Sequence, residues 1–210
     1  NDGSTDGTRA AIDATAVRDA RVRPVHLARN QGQSAALVAG MRRARGEYVI
    51  TLDGDLQNDP ADIPRILELL QTYDCVCGYR EKRHDNWLRR LPSRAGNWVF
   101  RKALGVTARD AGCGLKGFRR RCLEHIVPFN GIHRFFAVMM QMGGMTVIEC
   151  AVRHHPRVHG RSKYGFGNRA WRVLYDVIGV GWLQRRYLVC EVEESQPSQP
   201  PQPTNNDGEP

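Results

Sequence analysis

The chain has 210 residues, 41% of them hydrophobic and 25% charged. That is ordinary globular material, enough for one domain with a sizeable core, and no apolar run reaches the ~18 residues of a membrane-spanning helix. The formal net charge is +9, while the last twenty residues hold five acidic side chains and no Lys or Arg, so the body is more positive still. A positive body suits anionic partners such as phosphate-bearing small molecules, phospholipid headgroups, lipid phosphates or nucleic acid. Neither an RNA-binding signature nor zinc-finger spacing is present, which argues against nucleic acid.

The chain opens on Asn1-Asp2-Gly3-Ser4-Thr5-Asp6-Gly7-Thr8. Its glycines permit tight turns, and Ser4, Thr5 and Asp6 are natural helix caps. A helix is predicted from about Arg9 to Ala20 and a strand over Val22–Leu27. Asn30-Gln31-Gly32 leads into an Ala-rich helical stretch, Ser34–Arg45. Tyr48–Leu52 is an apolar run that reads as a buried strand. Asp59 and Pro60 start the next helix, and Tyr73–Gly78 is another short strand. This alternation predicts an α/β fold with a mostly parallel sheet and helices on both faces. The second half is less regular. Asn86–Leu104 is a basic helical stretch bearing tryptophans, and Ala111–Phe118 is a loop and strand followed by a short helix. His133–Met142 reads as helix, Met145–Arg153 as strand, His154–Asn168 as a basic Gly-rich loop and Arg169–Arg186 as an amphipathic helix. The tail from Glu191 is rich in Pro, Gln, Ser and Asn and is expected to be disordered.

The most informative segment is Asp53-Gly54-Asp55-Leu56-Gln57, where the Tyr48–Leu52 strand ends. Residues i and i+2 of an extended chain point to one side, so Asp53 and Asp55 can aim oxygens at one point, and Gln57 can add a neutral oxygen. Oxygen-only ligands suit Mg²⁺ or Mn²⁺, and ligands of open α/β sheets bind beyond the strand ends. A plain Asp-Gly loop is the alternative. The six cysteines have no disulfide or zinc spacing and read as buried free thiols of a reducing compartment. His154, His155 and His159 lack a Cys or carboxylate at suitable spacing for zinc.

The opening motif, the Asn30–Leu37 stretch and the Asp-x-Asp-x-Gln loop, in that order, resemble family 2 glycosyltransferases of the GT-A fold, a Rossmann-like nucleotide-diphospho-sugar transferase fold. The resemblance covers residues 1–186 and leaves 187–210 as a polar tail. In the family the opening loop follows a strand, so the resemblance implies an N-terminally truncated domain that lacks a first strand, a helix and a second strand. It assigns a Mg²⁺ or Mn²⁺ ion to Asp53, Asp55 and Gln57, and the nucleotide-sugar donor to Asp2, Asn30, Gly32 and Asp53. The Gln57 variant of the motif looks like the branch of dolichyl- and polyprenyl-phosphate sugar synthases. In that branch Arg80, Ser93 and Arg94 match the acceptor phosphate site. Arg161 and Lys163, in the His159–Gly165 loop, match the segment that folds over the donor diphosphate, and with Asp55 they form the expected catalytic set.

The family's sugar-acceptor members place a catalytic acid, often Glu-Asp, on the wall occupied here by Asp110–Phe118, and this chain has one Asp there. Asp110 is therefore either a loop-organising residue or a remnant of that acid. Trp87 and Trp98 among Arg89, Arg90, Arg94 and Arg101 fit either a solvated helix face or a membrane interface. The expectation is an inverting, metal-dependent enzyme that moves a sugar from UDP or GDP to a polyprenyl phosphate at the cytoplasmic face of a membrane. Its partners would be the donor, the lipid acceptor and the membrane surface, not nucleic acid, with room for a homo-oligomer. A saccharide or protein acceptor, or an inactive nucleotide-binding fragment, is the rival expectation.

Overall fold

The computed structural model describes residues 1–80, 101–106, 109–156 and 167–189. Helices among the described residues include α1 (Thr8–Arg18), α2 (Gln33–Arg43), α3 (Ile63–Leu69), α4 (Phe136–Met142) and α5 (Gly167–Gln184). The strands among the described residues are β1 (Tyr48–Thr51), β2 (Cys75–Arg80), β3 (Lys116–Arg119) and β4 (Val147–Val152). A 3₁₀ turn, Pro60–Asp62, precedes α3, and Asp59 caps it by accepting the Ala61 N–H at 2.9 Å, as a cap and first-turn proline should.

The strands form one sheet in the order β1-β3-β2-β4. β3 is antiparallel to both β1 and β2, while β4 is parallel to β2. β1, β2 and β4 therefore run one way and β3 alone is reversed. The expected common direction holds for three strands, but two of the three pairings are antiparallel. Periodicity reports which residues face the core, not which way a strand runs.

Alternation along the strands divides the core in two. Val49, Cys75, Cys77 and Phe118 face α2, α4 and α5, together with Val38, Met41, Phe136, Met139, Met140, Val177 and Val180. Phe118 and Phe136 meet edge to face, with centroids 5.5 Å apart. Ile50, Val76, Cys150 and Val152 face α3 on the other side, with Ile66 and Leu70. Gly117 lets α3 lie close to the sheet, since a side chain there would collide with Ile66, Leu70 and Ile50. Cys75, Cys77, Cys113, Cys122 and Cys150 are free and buried, and burial pushes the Cys122 thiol up to about 11.

Val22–Leu27 departs from expectation. It forms no strand. Val25 O accepts from the Asn1 ammonium at 2.8 Å, and Leu27 N–H donates to Asn1 O at 2.9 Å. That is a ladder one residue deep, too short to count as sheet. No residue of α1 is buried, and Val17 is 88% exposed.

Asp74 joins the entry of β2 to the entry of β4. Its carboxylate accepts from the Thr146 N–H at 3.0 Å, the Thr146 hydroxyl at 2.7 Å and the Arg121 guanidinium. Burial alone would raise its pKa, but those hydrogen bonds outweigh burial and lower it to about 2. A depressed carboxyl contributes stability above its unfolded pKa and loses it as pH falls through the folded value. We expect Asp74→Asn to destabilise the domain by about 2 kcal/mol at pH 7. The deficit should narrow as pH falls from 4 towards about 2, as read by urea unfolding of both proteins across that range.

Candidate active site

Two loops meet at the start of the chain. Asp2 accepts the N–H groups of Gln31 at 2.7 Å and Gly32 at 2.8 Å, and Asn30 Nδ2 donates to Asp2 O at 3.0 Å. Gly3 has φ +60°, and a side chain there would collide with the Arg29–Asn30 backbone. Gly32 has φ +90° where the chain turns into α2. Asp2, Asn30 and Gly32 are therefore drawn together, and the Asp2 carboxylate is the tie.

From this junction α2 reaches the acidic loop, because Gln33 Nε2 donates to Asp53 Oδ1 at 3.0 Å. The loop is a turn rather than a continued strand. Leu56 has φ 61°, the left-handed region that side-chain-bearing residues seldom occupy, and Gln57 N–H donates to Asp55 Oδ1 at 3.2 Å. Asp53 and Asp55 both lie beyond the end of β1, where the chain turns, and not on the pleat of a strand. Burial first, and then the charge of Asp55, hold the Asp53 pKa above the usual carboxylate range. Lys116, Gln33 and Arg80 oppose that shift.

Gln57 faces the segment after β4. Its Nε2 lies 3.5 Å from His154 Nε2 and 3.4 Å from His155 O, and its carbonyl accepts the His155 N–H at 2.8 Å. Its amide oxygen is the end that suits a cation.

Arg80, at the end of β2, forms a two-pronged pair with Asp110. Nε donates to Oδ2 at 2.6 Å and Nη2 to Oδ1 at 2.9 Å, with side-chain exposures of 19% and 7%. Asp110 thus organises its loop and orients Arg80. Ser93, Arg94, Arg161 and Lys163, and the tryptophan-arginine stretch from Trp87 to Trp98, lie outside the described residues.

Further residues of this region come from the Asn30–Leu37 stretch, the Asp110–Phe118 wall and the start of the His133–Met142 segment, where sequence alone assigned none of them a role of its own. A small cleft is lined by Gln33, Thr51, Gly114, Lys116, His133 and Phe136, among others. Ser34 Oγ, buried, accepts the Gly131 N–H at 2.9 Å and lies 2.9 Å from His133 Nδ1. Gly114 lies flat against Asp53, where a β-carbon would overlap the carboxylate. A lysine interrupting the apolar Leu115–Phe118 run was the available signal for Lys116.

The donor set fits a hard cation. Among the described residues no three His, Cys, Asp or Glu side chains converge. Mg²⁺ and Mn²⁺ sites of this kind use one or two carboxylates and complete the shell with water and substrate phosphates. The mutual repulsion of Asp53 and Asp55 is the kind that a bound cation relieves.

The architecture is that of GT-A nucleotide-sugar transferases. The chain superposes on glucosyl-3-phosphoglycerate synthase from Mycobacterium tuberculosis, solved with Mn²⁺, UDP-glucose and phosphoglyceric acid, with a TM-score of 0.56 at 17% identity. That match covers 90% of this chain and 67% of the synthase. A mycobacterial protein gives a TM-score of 0.57 at 22% identity, covering 87% and 62% of the two chains.

The chain belongs to glycosyl transferase family 2, whose sequence profile matches residues 1–127. It is 39% identical to undecaprenyl-phosphate 4-deoxy-4-formamido-L-arabinose transferase of Aeromonas hydrophila subsp. hydrophila, over 85% of this chain and 55% of the relative. It is 38% identical to dodecaprenyl-phosphate galacturonate synthase of Rhizobium johnstonii, over 88% and 56%. The chain thus spans about half the length of these relatives.

Proposed function

We propose that the protein transfers a sugar from a UDP- or GDP-sugar to a membrane polyprenyl phosphate, with inversion at the sugar carbon. The observation that carries this reading is the 38–39% identity to two transferases named for polyprenyl phosphates, over 85% and 88% of the chain. The acidic loop beside the Asp2–Gly32 junction supplies the matching donor side.

In this reading Asp53 and Asp55, with the Gln57 amide oxygen, hold Mg²⁺ or Mn²⁺. When bound, the ion neutralises charge that develops on the departing diphosphate. Asp2 keeps the 30–32 loop in place for the nucleotide, and Gln33 fixes one oxygen of Asp53. Arg80, oriented by Asp110, receives the acceptor phosphate together with Ser93 and Arg94, because guanidinium groups grip phosphate through paired hydrogen bonds. Arg161 and Lys163 add positive charge over the donor. An acceptor phosphate is anionic at neutral pH and needs no general base, which suits a wall whose one carboxylate, Asp110, is committed to Arg80.

The lipid acceptor calls for contact with a bilayer. No helix among the described residues is long and apolar enough to cross a membrane. α5 has two faces, however. Val177 and Val180 are buried in the core, while Tyr175, Ile178 and Trp182 are 80%, 66% and 65% exposed, and Arg185 and Arg186 follow. Aromatic and aliphatic side chains next to arginines suit an anionic membrane interface on the cytoplasmic side. Replacing Ile178 and Trp182 with Glu should lower binding to anionic lipid vesicles by about tenfold or more, since it removes two inserting side chains and adds repulsion. Vesicle co-sedimentation reads this, and unchanged binding would remove α5 from the membrane contact.

The test of the function uses the full-length protein with polyprenyl phosphate, Mn²⁺ or Mg²⁺, and labelled UDP- and GDP-sugars. Metal-dependent label in the organic phase is the expected result. Label released only to water, or carried to a soluble glycan, would overturn the acceptor assignment.

A further inference from the structure

Lys116 opens β3 and is 4% exposed. A buried ammonium is costly unless it is compensated. Its Nζ donates to Cys113 O, in the turn just before its own strand. Thr51, its register partner at the end of β1, is 6% exposed and donates through Oγ1 to Gly114 O at 2.8 Å. Two buried side chains on neighbouring strands thus hold successive carbonyls of one turn. Gly114 of that turn lies against the Asp53 carboxylate, with no space for a side chain between them. Gln33 holds Asp53 from the α2 side.

We infer that Lys116 and Thr51 are positioning residues: by clamping the Cys113–Gly114 turn they seat the Asp53 carboxylate for the cation and the donor diphosphate. Neither residue needs to touch substrate. The inference rests on the donor-site reading above and assigns the precision of that site to a turn behind it. Lys116 also lends Asp53 a positive charge that favours its ionised form, so its loss removes both charge and clamp. Thr51 is uncharged, and its loss removes the clamp alone.

The experiment is calorimetric titration of the full-length protein with UDP and with GDP, each in the presence of Mn²⁺, with a thermal midpoint recorded for every variant. Lys116→Met and Thr51→Val should each weaken metal-dependent nucleotide binding about tenfold, the loss expected when one ligand is misplaced by a missing supporting bond. Thr51→Ser, which keeps the hydroxyl, should stay within about twofold of the parent, a difference of under half a kcal/mol. The Thr51 pair keeps the inference testable if Lys116→Met does not fold. Equal or tighter binding in Lys116→Met, or parental binding in Thr51→Val, would overturn the clamp while leaving the donor site intact. A parent protein that binds neither nucleotide with Mn²⁺ would instead remove the donor-site reading itself, and the clamp with it.

Discussion

Asp55→Ala in the full-length protein is expected to cut sugar transfer about a thousandfold, since a metal ion contributes several kcal/mol of charge stabilisation and each 1.36 kcal/mol is tenfold in rate. Asp55 lies in the turn after β1, where it accepts the Gln57 N–H at 3.2 Å. Asp53→Ala should be as severe for transfer but heavier for the structure, because Asp53 is partly buried, packs on Gly114 and accepts from Gln33. Retained turnover in Asp55→Ala, at any Mn²⁺ concentration, would sink the metal assignment.

The second large effect concerns Arg80 and Asp110. The pair is two-pronged and largely buried. Removing one partner of such a pair strands the other charge, and Asp110→Ala should therefore cost about 3–5 kcal/mol of stability. Arg80→Met/Asp110→Leu removes both charges, and replacement of a buried pair by apolar groups is often neutral for stability. The double variant should recover most of the lost stability. It should not recover use of the lipid acceptor, whose KM should remain raised about tenfold or more because the phosphate has lost a guanidinium partner. A double variant that uses polyprenyl phosphate like the parent would make Arg80 purely structural.

The sequence made the α/β class legible through strand and helix periods. Tyr48–Leu52 and Tyr73–Gly78 correspond to β1 and β2, shifted by a residue or two. The acidic loop was legible because strand end, turn residues and paired carboxylates coincide within five positions. Asp2, Asn30 and Gly32 were legible only as a family pattern, and the reason they belong together is a set of hydrogen bonds spanning 28 to 30 residues.

What sequence alone determined was local: which segments bury one face, where turns fall, and which residues carry oxygen or charge. The reversal of β3 was decided by tertiary structure, because strand direction depends on how the chain returns to the sheet and not on side-chain alternation. Val22–Leu27 has the composition of a strand, yet a strand exists only where a ladder of partners does, and its backbone bonds to Asn1 are those of a single rung. Asp110 could be read as an acid or a brace until the fold set it 2.6 Å from Arg80. Lys116, a single basic residue in an apolar run, acquired meaning only when β1 and β3 paired and placed it beside Thr51, behind the turn that seats Asp53. Each of these depends on contacts between residues far apart in the chain, and local pattern carries no information about such contacts until the core has closed around them.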